Sequence, residues 1–370
     1  MRRTSGFRNE LNSLPLRLLK RLAGKPDRPS AEETALPFAG VATRASIENA
    51  HQFLREQPER IALCHPDWRG VRTAAYGHSA HVLEVPGILS DAHCERLASF
   101  IEACKPHSLI IEGYPPRIDE LVLSLSRRNK KLEIYCVYHG TPSLLHFQED
   151  TVINRMLELV DAGSVRKLGF VKSGLAEWIS TLGYPAQYLM NVCQVPFSRG
   201  PREVDLDGKL HLGVFAPNLC HKNVPTQVIA ALMIPGSIVH TSEPLELAYL
   251  RHWGERVVTH GIIPRPNFLE LLGRMHGTLY VSLVECYPMT VLESLAAGAV
   301  CLTSYTSTLF ESDPVLQKAL VVEQYDNPSA IADQLGTALE NRETLVARAQ
   351  EHILRLNETA ERLLQEFLDS

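Results

Sequence analysis

The sequence predicts an α/β protein of two consecutive doubly wound domains facing a cleft, with a C-terminal helix and a basic N-terminal extension. Three observations carry this expectation. Short β-prone apolar runs alternate with helical segments from about residue 58, and strands in such a series form a parallel sheet covered on both faces. A second series of the same kind begins after Ser198-Arg-Gly-Pro201. The chain has 370 residues, 45% of them hydrophobic and 21% charged. That is a globular composition at two-domain length, and it excludes a disordered, collagen-like or coiled-coil chain. The expected divisions are 1–55 for the extension and linker, 56–200 and 201–344 for the two domains, and 345–370 for the last helix.

The extension stands apart by charge. Residues 1–30 hold eight Lys/Arg and two Asp/Glu, a balance of +6, so the remainder carries −11. Leu11, Leu14, Leu18, Leu19 and Leu22 recur at helical spacing beside Arg8, Arg17, Lys20, Arg21 and Lys25. This is the pattern of a basic amphipathic helix lying on an anionic membrane surface. The stretch from Gly24 to Gly40 reads as a linker.

In the first series, strands are expected at 61–64, 81–85, 108–111 and 132–138. Ser90 caps a helix running to about Cys104, and another helix lies near 117–128. In the second series, strands are expected at 210–216, 237–240, 256–259, 279–284, 299–303 and 319–322. Asn267-x-x-Glu270 has the form of a capping box for a helix over 268–275. Leu345, Val346, Ala349, Ile353, Leu356, Ala360, Leu363, Leu364 and Phe367 keep one apolar face on the terminal helix.

No apolar run reaches the ~18 residues of a membrane span, and Met1-Arg2-Arg3-Thr4 is followed by no signal-peptide apolar stretch. The eight cysteines lie far apart without a C-x-x-C, as reduced buried thiols do. The expectation is therefore a cytoplasmic protein, peripheral at the inner face of the cell membrane through residues 1–25. A net charge of −5 gives no reason to expect a nucleic-acid partner.

Chemistry concentrates between Leu279 and Thr303. A buried strand, a turn holding Glu285, a helix opened near Pro288, Glu293 two turns on, and a stop at Gly298 lead into another strand. Such a turn lies at the carboxyl end of the sheet, where open α/β folds bind ligands. The amides of Met289, Thr290 and Val291 are placed to hold a phosphate, and the two carboxylates to bond sugar hydroxyls beside it.

Ser282, Glu285, Tyr287, Pro288, Glu293, Ala296, Ala297 and Gly298 resemble the E-x7-E signature of retaining glycosyltransferases of family 4. The resemblance implies a GT-B fold of two Rossmann-like domains, covering about 165–340 well and 58–164 loosely. Cys286 stands where the family has Gly. By resemblance Glu285 contacts the donor sugar and Glu293 the ribose. Leu210 to Asn223 is similar to the strand and loop whose Lys, here Lys222, neutralises the donor diphosphate. The family's Arg before that Lys is replaced by Pro217 and Asn218, which implies weaker charge stabilisation of the leaving group unless another cation such as Arg265 substitutes. Val258-Thr-His-Gly261-Ile-Ile263-Pro264 is similar to the loop that cups the base, and His139 follows a strand as the family's His near the reaction centre does. Phe170-Val-Lys-Ser173 resembles a further family position, and Trp68-Arg69-Gly70 is nearest to the family's Gly-Gly loop.

The resemblance thus implies catalytic roles for His139, Lys222 and Glu285, and a nucleotide-sugar site at Gly261, Ile263, Tyr287, Pro288, Met289, Thr290 and Glu293. It implies a hexosyl transfer from a nucleotide sugar such as a UDP-sugar to a glycan or lipid-linked acceptor in surface polysaccharide or lipopolysaccharide synthesis. No cofactor and no metal are expected. Asp205-Leu-Asp207 precedes Gly208 and a strand, so it reads as a turn rather than a metal motif. Gly77-His-Ser79-Ala-His81 lacks the last Gly of a hydrolase elbow, and Gly169-x4-Gly174 lacks the Lys of a P-loop. The alternative readings are a degenerate GT-B scaffold that binds a nucleotide or partner without turnover, and an epimerase or phosphorylase on the same fold.

Overall fold

A computed structural model describes residues 52–88, 90–143, 150–199, 208–245 and 254–369. The amphipathic segment 1–25, the linker after it and Asp205-Leu-Asp207 lie outside the described residues. The first domain contains β1 (Arg60–Cys64), α1 (Arg69–His78), β2 (Val82–Glu84), α2 (Asp91–Cys104), β3 (Ser108–Glu112), α3 (Ile118–Arg128), β4 (Glu133–Tyr138), α4 (Asp150–Asp161), β5 (Lys167–Phe170), α5 (Leu175–Thr181) and β6 (Ala186–Tyr188). Its sheet is parallel throughout, in the order β2-β1-β3-β4-β5-β6. Alternation along β1 feeds two cores. Ile61 and Leu63 pack with Leu97 of α2 and Leu121 of α3, while Ala62 and Cys64 join a cluster continuing into the second domain.

The second domain contains β7 (Leu210–Val214), α6 (Val224–Met233), β8 (Ser237–Thr241), β9 (Val257–Thr259), α7 (Arg265–Leu272), β10 (Gly277–Tyr280), α8 (Met289–Ala296), β11 (Val300–Ser304), α9 (Pro314–Leu320), β12 (Val321–Val322) and α10 (Pro328–Glu340). Its sheet is also parallel, in the order β12-β11-β10-β7-β8-β9. A last helix, α11 (Arg342–Asp369), spans both domains. Gln350 Nε2 donates to the Leu295 and Ala296 carbonyls of α8. Further on, the Tyr135 hydroxyl of β4 donates to the Leu368 carbonyl at 2.9 Å, and Phe367 packs 5.1 Å from the Tyr135 ring. The helix is thus a strap between the domains.

Several local expectations hold. Ser90 Oγ accepts the His93 amide at 3.2 Å and opens α2, and Gly298 ends α8 at φ +94°. Others are corrected. The capping box at Asn267 does not form, because Pro264 and Pro266 start α7 at Arg265 with no side-chain cap. Residues 319–320 close α9, so the strand expected there is only Val321–Val322. The strand expected over 279–284 is Gly277–Tyr280, for a reason that belongs to the site. Among the described residues no helix is long and apolar enough to cross a membrane. All eight cysteines are free and most are buried.

Candidate active site

Each sheet reverses its strand order once, between β1 and β3 in the first domain and between β7 and β10 in the second. A crevice opens at the carboxyl ends of strands at such a point. In the second domain Lys222 closes the 3₁₀ turn Cys220–Lys222 after β7, and Glu285 lies in the loop after β10.

These two loops are bonded to each other, which is why β10 ends early. Gln227, wholly buried on α6, donates from Nε2 to the Lys222 carbonyl at 2.6 Å and accepts the Val281 amide at 2.8 Å. The Leu283 amide donates to the His221 carbonyl at 2.8 Å, and Asn223 Nδ2 donates to the Val281 carbonyl at 3.2 Å. The Val281 and Leu283 polar groups are thus taken by Gln227, Asn223 and the His221 carbonyl instead of by a strand ladder. The result is an ion pair between Lys222 Nζ and Glu285, with the Tyr280 hydroxyl 3.3 Å from the ammonium.

Glu293, on the second turn of α8, is 3% exposed and pairs with Arg265 Nη1 at 2.5 Å. The same guanidinium donates to Thr73 Oγ1 of α1 at 2.8 Å. Arg265 is thus committed to Glu293 and the first domain. Lys172, just after β5, reaches the Thr306 carbonyl past the end of β11 at 2.5 Å. Its signal in the sequence was a Lys closing an apolar strand. Lys172 and Lys222 both favour ionisation of the Cys286 thiol, yet burial and the Glu285 charge prevail and raise it to about 11. Cys286 therefore keeps its proton and donates to the His139 carbonyl at 3.0 Å.

On the first-domain side β3 ends in Glu112, which has no exposed surface. The turn after it needs Gly113, at φ +71°, where a Cβ would stand 2.8 Å from the Trp68 indole. Glu112 Oε1 lies 2.6 Å from His78 Nδ1, and Oε2 lies 2.6 Å from His139 Nε2. Burial pushes this carboxyl up, but the two imidazoles overcome it and hold it at about 2. For His78, burial opposes the charge while Glu112 favours it, and the net direction is upward. Sequence reasoning found His139 but missed Glu112 and His78. A glutamate closing the apolar run Ser108–Ile111 at the carboxyl edge of a strand was the available signal.

The residues expected around the nucleotide fall after β9 and at the start of α8. Gly261, at φ +71°, and the half-buried Ile263 follow β9, with Ile262 between them 82% exposed. Pro288 caps α8, Met289 is buried and Thr290 is half-buried. The Val291 amide already donates to the Pro288 carbonyl at 3.1 Å, so it does not face the crevice as expected. Tyr287 is buried near Tyr188 and Cys193, and burial raises its hydroxyl far above the usual value. His211 Nδ1 of β7 lies 2.8 Å from His240 Nε2 of β8, and His240 Nδ1 lies 2.8 Å from His260 Nε2. Burial, then the neighbouring His260 and His211, push His240 down to about 4.

No protein-family model matches the chain, and no curated protein matches it in sequence. Solved structures do match in shape. Anabaena HepE in complex with UDP and glucose matches with a TM-score of 0.60 at 9% identity, over 83% of this chain and 99% of that one. Trehalose-6-phosphate synthase OtsA (0.58, 12% identity) and the sucrose-phosphate synthase of Thermosynechococcus elongatus (0.57, 13% identity) each match over 84% of this chain and 99% of theirs. The chain has the GT-B fold. Its GT-B cleft is bridged by side chains from both walls. Thr73, His139 and Lys172 of the first domain meet Arg265, Cys286 and Thr306 of the second.

Proposed function

We propose that the protein is a nucleotide-sugar glycosyltransferase that transfers a hexosyl group with retention to a glycan or lipid-linked acceptor, in synthesis of a surface polysaccharide or lipopolysaccharide. The observation that carries the reading is the meeting of Lys222 and Glu285 at the switch point of the second sheet, beside the start of α8. The neighbours in shape lend support, since they include two sugar-phosphate synthases and a complex with UDP and glucose.

In this reading the donor diphosphate displaces Glu285 from Lys222 and lies against the ammonium and the first-turn amides of Met289 and Thr290. Glu285, released, accepts bonds from sugar hydroxyls. Glu293, oriented by Arg265, serves the ribose, and Gly261 and Ile263 flank the base. Charge grows on the departing diphosphate in the transition state, so Lys222 and the amides bind that state more strongly than the ground state. His139 contacts the sugar from the first domain, and the acceptor enters on that side. The reaction needs no metal or cofactor. The protein works in the cytoplasm, and residues 1–25 dock it on an anionic membrane; salt-sensitive flotation with anionic liposomes, lost on deleting 1–25, tests that part.

The experiment on the activity measures release of nucleoside diphosphate from UDP-, GDP- and ADP-sugars, with and without acceptor glycans. Release that disappears in Lys222→Ala is expected, and absence of release with every donor contradicts turnover. Two observations favour a second reading, a scaffold that binds a nucleotide without turnover: both glutamates are already held in ion pairs, and the family's Arg is missing. That reading expects nucleotide binding with no release.

A further inference from the structure

Glu112, His78 and His139 come from the end of β3, the end of α1 and the residue after β4, and they converge in the first domain with almost no solvent contact. A buried carboxylate is costly unless it is paired and hydrogen-bonded, and this one has an imidazole on each oxygen at 2.6 Å. An ionised carboxylate only accepts, so each facing nitrogen must carry its hydrogen. His139 therefore donates from Nε2. Its other nitrogen, Nδ1, has no hydrogen-bond partner among the described residues and is not sealed from solvent. His78 has no exposed side-chain surface, and although burial opposes its charge, Glu112 shifts it upward overall. Other charged or titratable groups near the pair are Arg60 from β1 and the thiols of Cys64 and Cys136, whose ionisation burial disfavours. None supplies a competing acceptor for His139 Nε2. The His139 backbone is fixed as well, through the Cys286 thiol of the opposite domain.

We propose that Glu112, backed by His78, is a positioning residue that locks His139 as its Nε2–H tautomer and turns the Nδ1 lone pair toward the cleft to accept a hydrogen bond from a sugar hydroxyl. The logic is that of a carboxylate that orients a histidine through the nitrogen the substrate does not use. What enters the cleft rests on the glycosyltransferase reading; the tautomer of His139 does not.

The test separates the two. In the ligand-free full-length chain labelled with ¹⁵N-histidine, a long-range ¹H–¹⁵N spectrum at pH 8 reports the tautomer, with the His139 signals assigned by their loss in His139→Gln. The expected result is a protonated Nε2 and a bare Nδ1 at His139. A protonated Nδ1 overturns the proposal whatever the enzyme does. Glu112→Gln, which puts a donor where an acceptor stood, should convert His139 to a mixture and lower kcat by about 10–100-fold with the donor KM little changed. An unchanged tautomer in a folded Glu112→Gln variant overturns it too. Should that variant not fold, the wild-type spectrum alone decides.

Discussion

The two walls of the cleft handle their carboxylates differently. In the second domain Glu285 and Glu293 each face a side chain of Lys or Arg that keeps some solvent contact, 15% for Lys222 and 31% for Arg265. These are pairs that an incoming anion can exchange. In the first domain Glu112 is sealed between two imidazoles, and the inner one, His78, has no exposed side-chain surface. That arrangement has no exchangeable partner and sets geometry instead. Partly exposed ion pairs and a sealed carboxylate–imidazole cluster thus sit on opposite walls, each at a switch point of its own sheet.

The largest expected effect breaks this contrast at its rigid side. Glu112→Ala leaves two buried imidazole nitrogens without their carboxylate and should cost about 3–5 kcal/mol of stability, against less than about 2 kcal/mol for Glu285→Ala, where Lys222 turns to water. Equal losses in denaturant unfolding erase the distinction. Next, Lys222→Ala should lower kcat by about 10²–10³-fold with a smaller change in donor KM. An effect confined to KM makes Lys222 a ground-state anchor only.

A third prediction concerns pH. His240 is held at about 4 in the fold, below its ordinary value of 6.5. The unfolded chain then binds a proton that the folded one refuses, so stability is lost as pH falls from 6.5 toward 4, by up to about 3 kcal/mol. His240→Gln should flatten that part of the stability profile, and an unaltered profile counts against the histidine chain as its source. The smallest effect belongs to the bridge between the walls. Thr73→Val removes one hydrogen bond from Arg265 and should cost about 1 kcal/mol in unfolding.

The second wall was far more legible than the first. Glu285, Pro288, Glu293 and Gly298 fall within one βαβ unit, so local spacing together with the resemblance points to a candidate site there. Glu112, His78 and His139 are spread along the chain, and the pairing of β3 with β4 and the packing of α1 beside β3 bring them together. The ion pairs were hidden for a related reason. Lys222 meets Glu285 because Gln227 and Asn223 pull residues 281–283 out of the sheet, and no local propensity encodes that bond pattern. Ser90 and Gly298 were readable because a helix end depends on its nearest residues. Asn267 misled because two prolines next to it preset the backbone of the helix start.

The central claim is that the second wall binds a nucleoside diphosphate through Lys222. Titration of UDP, GDP and ADP into the wild-type chain and into Lys222→Ala, followed by calorimetry and thermal shift, tests it most directly. One of the three should stabilise the wild type by about 2.7 kcal/mol at a hundredfold excess over its Kd, and bind Lys222→Ala at least about tenfold more weakly. Failure of all three to bind, or an affinity that Lys222→Ala leaves unchanged, contradicts the account.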